Sequence, residues 1–114
     1  MPHVIVEYSK NLGDIVNISK LVYDLHEELA AQGIDKDRIK TRAIACNYVS
    51  VGNQDSRGHM LHATLLLLEG RDTATKKQYG DALHNMMKDC VGDVVKHCSI
   101  TLEIRDMDKD TYYL

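Results

Sequence analysis

Hydrophobic and polar residues alternate along this chain in two patterns, one typical of strands and one of helices. Residues 3–8 are mostly β-branched or aromatic, which predicts a first strand. Between residues 14 and 32, apolar side chains recur at spacings of three and four, which predicts an amphipathic helix that Asp14 can cap and Gly33 can end. Residues 39–51 are rich in β-branched and apolar residues and predict a second strand. The first half therefore has the order β-α-β.

The second half repeats this order after a polar loop. Residues 59–69 predict a strand, residues 73–91 a helix and residues 99–106 a last strand. Corresponding elements recur after about 57 to 60 residues, as expected of a duplicated unit, although the two halves share few identical residues. We therefore expect two pseudo-repeats, about 1–57 and 58–114, within a single domain that spans residues 1–114.

These elements predict an α+β fold with a four-stranded sheet. Right-handed β-α-β connections place both helices on one face of the sheet and leave the other face uncovered by the chain. Leu66 and Leu68 make the outward face of the third strand apolar, which is typical of burial on both faces. Self-association would cover it, through Leu, Val, Met and Tyr, because the chain contains no Trp or Phe.

Composition and charge exclude several classes of protein. The 14 Lys and Arg against 17 Asp and Glu give a net charge of −3, without the basic footprint of a nucleic-acid-binding domain. No apolar run is long enough to span a membrane and no signal peptide opens the chain, so we expect a cytoplasmic protein. The cysteines Cys46, Cys90 and Cys98 are odd in number and lie in apolar segments, which predicts buried, reduced thiols.

Metal and nucleotide sites find no support in the motifs. His59 and His62 are three residues apart on a predicted strand and would point to opposite faces, so we expect no metal site. The glycines do not form a phosphate-binding pattern. The acidic segment 106–110 is interpreted as a solvated end, after which residues 112–114 could dock on a neighbouring chain.

The only proline of the chain, Pro2, directly follows Met1. Removal of Met1 would convert an inert amide nitrogen into a free secondary amine that could act as a base. A neutral base at pH 7 needs a lowered pKa, which an apolar pocket with neighbouring cations would provide. The alternative is that Pro2 only begins an edge strand, where its missing N–H has no cost.

Three cations are candidates for binding an anionic substrate. Lys40 and Arg42 are two residues apart on the second strand and point to the same face, and Arg71 follows the third strand. Arginine has a planar fork of donors that suits carboxylates. The alternative is that these residues are solvated surface charges.

The opening MPHVIVEYS, the stretch IKTRAI at 39–44 and the stretch HATLLLLEGR at 62–71 together resemble the 5-carboxymethyl-2-hydroxymuconate isomerase family of the tautomerase superfamily. This resemblance spans most of the chain. It implies a homotrimer of β-α-β-β-α-β subunits that uses no cofactor and ketonises a dienol with two or three carboxylates. It also places the reaction in aromatic-compound catabolism.

The resemblance also implies roles for individual residues. Pro2 is the acid-base catalyst, and Arg42 and Arg71 bind carboxylates or stabilise the dienolate. Lys40 stands where the family often has arginine, and a lysine lacks the bidentate fork. Tyr48 could form the pocket wall that an aromatic residue forms in the familiar enzymes.

Two other functions stay open at this point. Members of the superfamily use the same proline for 4-oxalocrotonate-type or phenylpyruvate tautomerisation. A non-catalytic trimeric binding protein of the same fold is the second alternative, and retention of Met1 would favour it.

Overall fold

The computed structural model describes residues 1–93 and 95–114. The strands and α-helices of these residues are β1 His3–Ser9, α1 Ile18–Ala31, β2 Lys40–Cys46, β3 His59–Leu68, α2 Thr73–Val91 and β4 Cys98–Met107. Short 3-10 helices at Lys10–Asp14, Lys36–Arg38 and Gly52–Arg57 connect some of these elements. The predicted order of two β-α-β units is confirmed.

The four strands form one mixed sheet in the order β2-β1-β3-β4. Within each unit the two strands are parallel, β1 with β2 and β3 with β4, as a helical crossover requires. The two units join through antiparallel pairing of β1 with β3, which sets His3 opposite Leu66 and Tyr8 opposite Leu61. Each unit thus contributes one central and one edge strand.

The hydrophobic core lies between the sheet and the two helices. Alternate residues from Val4 to Val6 in β1 and from Leu61 to Leu67 in β3 point toward the helices and are fully buried, as the period-two pattern of a strand requires. They pack with one stripe of each helix. The fully buried side chains of this core include Val4, Val6, Leu21, Leu25, Leu29, Leu61, Leu65, Leu67, Leu83 and Met87. Both helices therefore cover the same face of the sheet, as predicted.

Two predicted boundaries are wrong. Helix α1 is capped by Asn17, whose side-chain oxygen accepts a hydrogen bond from the Lys20 backbone N–H, and Asp14 instead lies in a 3-10 helix. Strand β2 ends at Cys46 and not at residue 51. Its partner β1 ends at Ser9, which pairs with Cys46, so residues 47–51 have no neighbouring strand.

The face of the sheet opposite the helices is covered by no other layer of the described chain, and its composition is mixed. Apolar side chains such as Leu66 and Leu68 are half-buried there, and Ile44 is half-exposed. Charged side chains on the same face come from the two edge strands, among them Lys40, Arg42, Glu103 and Arg105. This surface is called the open face below.

The three cysteines are free thiols, as predicted, but each is half-buried and none is in the core. Burial raises the pKa of the Cys90 and Cys98 thiols. Both side chains therefore stay protonated at neutral pH, which makes them poor nucleophiles.

Leu25 of α1 is fully buried against the sheet, so its truncation tests the assigned core. We expect Leu25→Ala to lower the free energy of unfolding by about 2–5 kcal/mol, because transfer free energy is lost and a cavity forms. Tyr23→Ala, on the solvent side of the same helix, is the control and should change it by no more than about 0.5 kcal/mol. Denaturant unfolding measures both, and equal effects would contradict the assigned packing.

Candidate active site

Pro2 directly precedes β1 and is buried. Its carbonyl oxygen accepts a hydrogen bond of 3.0 Å from the Lys40 backbone N–H, which extends the pairing of β1 with β2 by one residue. Because β1 is antiparallel to β3, the start of β1 also lies beside the end of β3. Pro2 therefore lies where the start of β1, the start of β2 and the end of β3 are neighbours.

A cavity of about 280 Å³ surrounds this point. It is lined by Met1, Pro2, Gly33, Ile34, Asp35, Arg38, Leu67, Leu68 and Arg71. The walls come from the loop after α1, the 3-10 helix Lys36–Arg38, the end of β3 and the turn after it. Its lining combines apolar side chains with charged groups, as small-molecule sites commonly do.

A larger groove of about 560 Å³ runs between the two helices, and Lys20, Asp24 and Asp89 are among its lining residues. None of the predicted site residues lines this groove. Two of its charged side chains, Lys20 and Asp24, form a surface ion pair with each other. We therefore place the candidate active site at the smaller cavity, where a terminal amine, apolar walls and cations meet.

Cations surround the terminal amine. The Met1 amine donates to the Arg38 carbonyl oxygen at 2.6 Å, and the Lys40 ammonium donates to the same oxygen at 3.0 Å. Burial, together with the charges of Lys40 and Arg38, lowers the pKa of the Met1 amine below its ordinary value. Like charges so close together disfavour a third positive charge, so this environment favours a neutral amine.

Arg71 lies in the turn between β3 and α2. Gly70, directly before it, has a φ of +123°, a conformation that other residues rarely adopt, and this turn directs the chain back toward α2. The Arg71 guanidinium carbon lies 6.0 Å from the centre of the Tyr79 ring, within the range of a cation–π interaction. The aromatic ring therefore supports the guanidinium group at the wall of the cavity.

The other predicted site residues lie outside this cavity. Lys40 and Arg42 project from the same face of β2, as expected, and Arg42 reaches across the open face to donate to His3 Nδ1 at 3.1 Å. Tyr48 follows the C-terminal end of β2, so it lies at the opposite end of the strands from Pro2, and it is 96% exposed. One subunit thus brings Pro2 and Arg71 together with Lys40 beside them, and leaves Arg42 and Tyr48 apart.

Sequence reasoning missed Arg38 and Asp35 at the cavity, and His3 and Tyr112 beside Arg42. For Arg38 a signal was present, because parallel pairing of the first two strands sets the residues before the second strand next to the residues before the first. The sequence suggests that residues 112–114 could dock on a neighbouring chain. Within its own chain, the Tyr112 hydroxyl lies 2.9 Å from His3 Nε2, a contact across 109 positions that no local pattern reveals.

The described residues contain no group of three or more His, Cys, Asp or Glu that could hold a metal ion. His59 and His62 project to opposite faces of β3 and contact Asn11 and Thr101 respectively. In the part of the chain that the structure describes, no helix combines the length and the hydropathy needed to cross a bilayer.

Two β-α-β units in one four-stranded mixed sheet, with a buried proline directly before β1 and an arginine in the turn after β3, have the arrangement of a tautomerase-type fold. Residues 2–113 match the family model of 5-carboxymethyl-2-hydroxymuconate isomerase, and the chain belongs to this family. No curated protein sequence matches the chain significantly.

Solved structures share the fold at low sequence identity. The crystal structure of a 5-carboxymethyl-2-hydroxymuconate isomerase from Deinococcus radiodurans R1 has a TM-score of 0.88 and 23% identity, covering 99% of this chain and 87% of that one. Pt0534, crystallised after inactivation by 2-oxo-3-pentynoate, has a TM-score of 0.74 and 11% identity, covering 98% and 90%. A fused 4-OT described as a symmetric trimer has a TM-score of 0.74 and 15% identity, also covering 98% and 90%.

The shared carbonyl of Arg38 makes Lys40 the residue to test for an effect on the terminal amine. In protein shown by mass to retain Met1, we expect Lys40→Gln to raise the pKa of the Met1 amine, because a positive charge that disfavours protonation is removed. An NMR titration of the Met1 signals measures this pKa. Lys36→Gln is the control, because the Lys36 ammonium pairs with Glu27, and an unchanged pKa in Lys40→Gln would contradict the assigned environment.

Proposed function

We propose that this isomerase, after removal of Met1, uses the amine of Pro2 as the acid-base catalyst that ketonises a dienol such as 5-carboxymethyl-2-hydroxymuconate. The observation that carries the proposal is the position of Pro2: it is buried and lines a cavity with Arg38 and Arg71, and the Lys40 ammonium shares the Arg38 carbonyl oxygen with the amine of the preceding Met1. Membership of the family supports the choice of substrate class. We place the reaction in the cytoplasm and in the breakdown of aromatic compounds.

Removal of Met1 is required because the Pro2 nitrogen is otherwise part of an amide and has no basicity. Once freed, it is a secondary amine, which is intrinsically more basic than an ordinary α-amino group. Burial and the charges of Lys40 and Arg38 already lower the pKa of the amine one residue earlier in the chain. The same causes acting on Pro2 would lower its pKa and favour the neutral form that accepts a proton.

The reaction needs only one proton in and one proton out. The Pro2 nitrogen accepts the proton of the 2-hydroxyl group, the oxygen electrons form the C2 carbonyl, and the double bonds shift along the conjugated system. The ammonium of Pro2 then returns a proton to the distal carbon. A positioned base contributes typically ~10²–10⁴ in rate, and stabilisation of the dienolate charge can match it. No cofactor takes part.

Arginine and lysine side chains hold the anionic substrate in this proposal. Arg71 is at the cavity and binds a carboxylate or stabilises the dienolate, and Lys40 lies beside the terminal amine. Charge-assisted hydrogen bonds of this kind contribute about 1.5–3 kcal/mol each. Arg42 and Tyr48 lie outside the cavity of their own subunit, and we propose that they complete the pocket of a neighbouring one.

We propose a homotrimer as the assembly that brings these residues together. The open face has no other layer of the described chain over it, and Leu66, Leu68 and Ile44 are apolar groups on it. The edge strands β2 and β4 each have one unpaired side within the described chain. A fused 4-OT of the same fold is a symmetric trimer, which supports this assembly.

Pro2→Ala tests the catalytic proline directly. We expect kcat/KM for dienol ketonisation, followed by ultraviolet absorbance, to fall by about 10²–10⁴, because a base is replaced by one with different basicity and position. Protein that keeps Met1 should be inactive, and protein shown by intact mass to begin at Pro2 should be active. Equal rates for the two N-termini would contradict the proposal.

A covalent probe gives an independent readout of the same amine. The neighbour Pt0534 was crystallised after inactivation by 2-oxo-3-pentynoate. The Pro2 nitrogen would add to the alkyne carbon distal to the ketone, and a proton would be placed on the adjacent carbon, so the chain would gain the full mass of the reagent. Labelling that is as fast in Met1-retaining protein would show that another group reacts.

Arg71→Gln tests the carboxylate site. We expect KM to rise about 10- to 100-fold if Arg71 binds a carboxylate, and kcat to fall by a similar factor if it stabilises the dienolate, because a charge-assisted contact is lost in either case. Arg57→Gln is the matched control, since Arg57 is exposed and paired with Asp55 at another part of the surface. Unchanged kcat/KM in Arg71→Gln would remove Arg71 from the site.

A further inference from the structure

Three side chains on the open face are joined by hydrogen bonds, and two of them, His3 and Tyr112, have no role in the proposed chemistry. Arg42 Nη1 donates to His3 Nδ1 at 3.1 Å, and His3 Nε2 lies 2.9 Å from the Tyr112 hydroxyl. We propose that His3 and Tyr112 are positioning residues that hold the Arg42 guanidinium ready to bind a carboxylate. This inference rests on the carboxylate-binding role given to Arg42 above.

The hydrogen-bond chemistry of this chain of residues permits one arrangement only. A guanidinium group can donate but cannot accept, so His3 Nδ1 must be the unprotonated, accepting nitrogen. The ring proton of neutral His3 is then on Nε2, and Nε2 donates to the hydroxyl oxygen of Tyr112. The Tyr112 hydroxyl, which can accept as well as donate, fits this tautomer and holds the ring in the orientation that Arg42 requires.

The environment of His3 keeps the ring in its neutral, accepting form. Burial lowers the pKa of His3, and the positive charges of Arg42 and Lys40, together with the terminal amine when it is protonated, lower it further. Protonation of His3 would convert Nδ1 into a donor facing another donor, and the contact with Arg42 would be lost. Burial and the neighbouring cations thus support the hydrogen bond between His3 and Arg42.

Tyr112 is in turn held by the segment after β4. The Lys109 backbone N–H donates to a carboxylate oxygen of Glu69 at 2.9 Å, and the Tyr112 backbone N–H donates to the Asp108 carbonyl at 3.0 Å. These contacts turn the chain back over the end of β3 toward β1. Tyr113, the next residue, is 88% exposed, so of these two tyrosines it is Tyr112 that contacts the sheet.

Such an arrangement matters because arginine is long and its rotamers are many. Fixing a long charged side chain costs conformational entropy at the moment of binding unless the side chain is already held in place. His3 lies on the central strand β1, so its hydrogen bond holds the Arg42 guanidinium against the sheet before a carboxylate binds.

The test compares Tyr112→Phe with Tyr113→Phe, two identical chemical changes at adjacent positions. Isothermal titration calorimetry with cis,cis-muconate, a dicarboxylate that needs no proton transfer, measures binding without relying on catalysis. We expect Tyr112→Phe to weaken binding about three- to tenfold, the effect of losing one supporting hydrogen bond, and Tyr113→Phe to leave it unchanged. In the active enzyme the same variant should raise KM more than it lowers kcat.

Two further measurements separate positioning from a general structural role. Nitrogen NMR should show His3 protonated on Nε2 in the wild type, with the Nε2–H signal shifted in Tyr112→Phe, where its acceptor is lost, and unchanged in Tyr113→Phe. His3→Asn, whose amide oxygen can accept from Arg42, should keep most of the affinity that His3→Leu loses.

Equal affinity in the two tyrosine variants, a His3 proton on Nδ1, or a wild type that does not bind muconate would overturn the inference. Muconate binding that Tyr112→Phe weakens, in a protein that begins at Pro2 but ketonises no dienol, would instead overturn the proposed catalytic function and leave the positioning role intact.

Discussion

The antiparallel pairing of β1 with β3 joins the two β-α-β units, and the position of the candidate site depends on it. Each unit alone would be a parallel pair of strands with one helix, and its helix would lack the second half of the core. Pairing His3 with Leu66 sets the start of β1 against the end of β3. Parallel pairing of β1 with β2 then adds the start of β2, so Pro2, Lys40 and Arg71 meet from distant parts of the chain.

The open face shows how the sheet divides its two sides. The side toward the helices is uniformly apolar in β1 and β3, since every inward side chain there from Val4 to Val6 and from Leu61 to Leu67 is fully buried. The open side alternates apolar and charged groups, with histidines at its centre that bond to threonine and tyrosine hydroxyls. A surface of this kind can be buried only against one that pairs its charges, which favours a specific assembly over loose hydrophobic association.

The elements of the fold were predictable because their periodicities are strong and the two halves repeat. The boundaries that failed depend on partners that a local pattern does not contain. Val49 and Val51 have strand propensity, but β1 ends at Ser9 and offers them no hydrogen bonds. Asn17 caps α1 in place of Asp14, because the 3-10 helix that buries Leu12 delays the start of the α-helix.

The candidate site divides in the same way. Pro2 and Arg71 could be identified from motif and position, whereas the bond between His3 and Tyr112 joins residues 109 positions apart and follows only from the path of the C-terminal segment. Arg38 is an intermediate case. Parallel strand pairing indicates its position, but no sequence motif indicates that its charge belongs to the site.

The chain has a net charge of −3, but the cations near its N-terminus create a local positive field. In the proposed function, this field affects the terminal amine before the substrate binds and again when it binds. Burial, Lys40 and Arg38 lower the pKa of the Met1 amine, and in a free enzyme that begins at Pro2 the same environment would favour the neutral amine, which can accept a proton. When a dicarboxylate binds, its negative charges offset those of the cations, and the pKa of the amine must rise. Because binding and protonation are linked, an amine that becomes more basic on substrate binding must in turn bind that substrate more tightly once protonated. The same few cations would thus favour the unprotonated amine before the substrate binds. When the carboxylates of the substrate offset their charge, the amine would become a stronger base for the proton transfer.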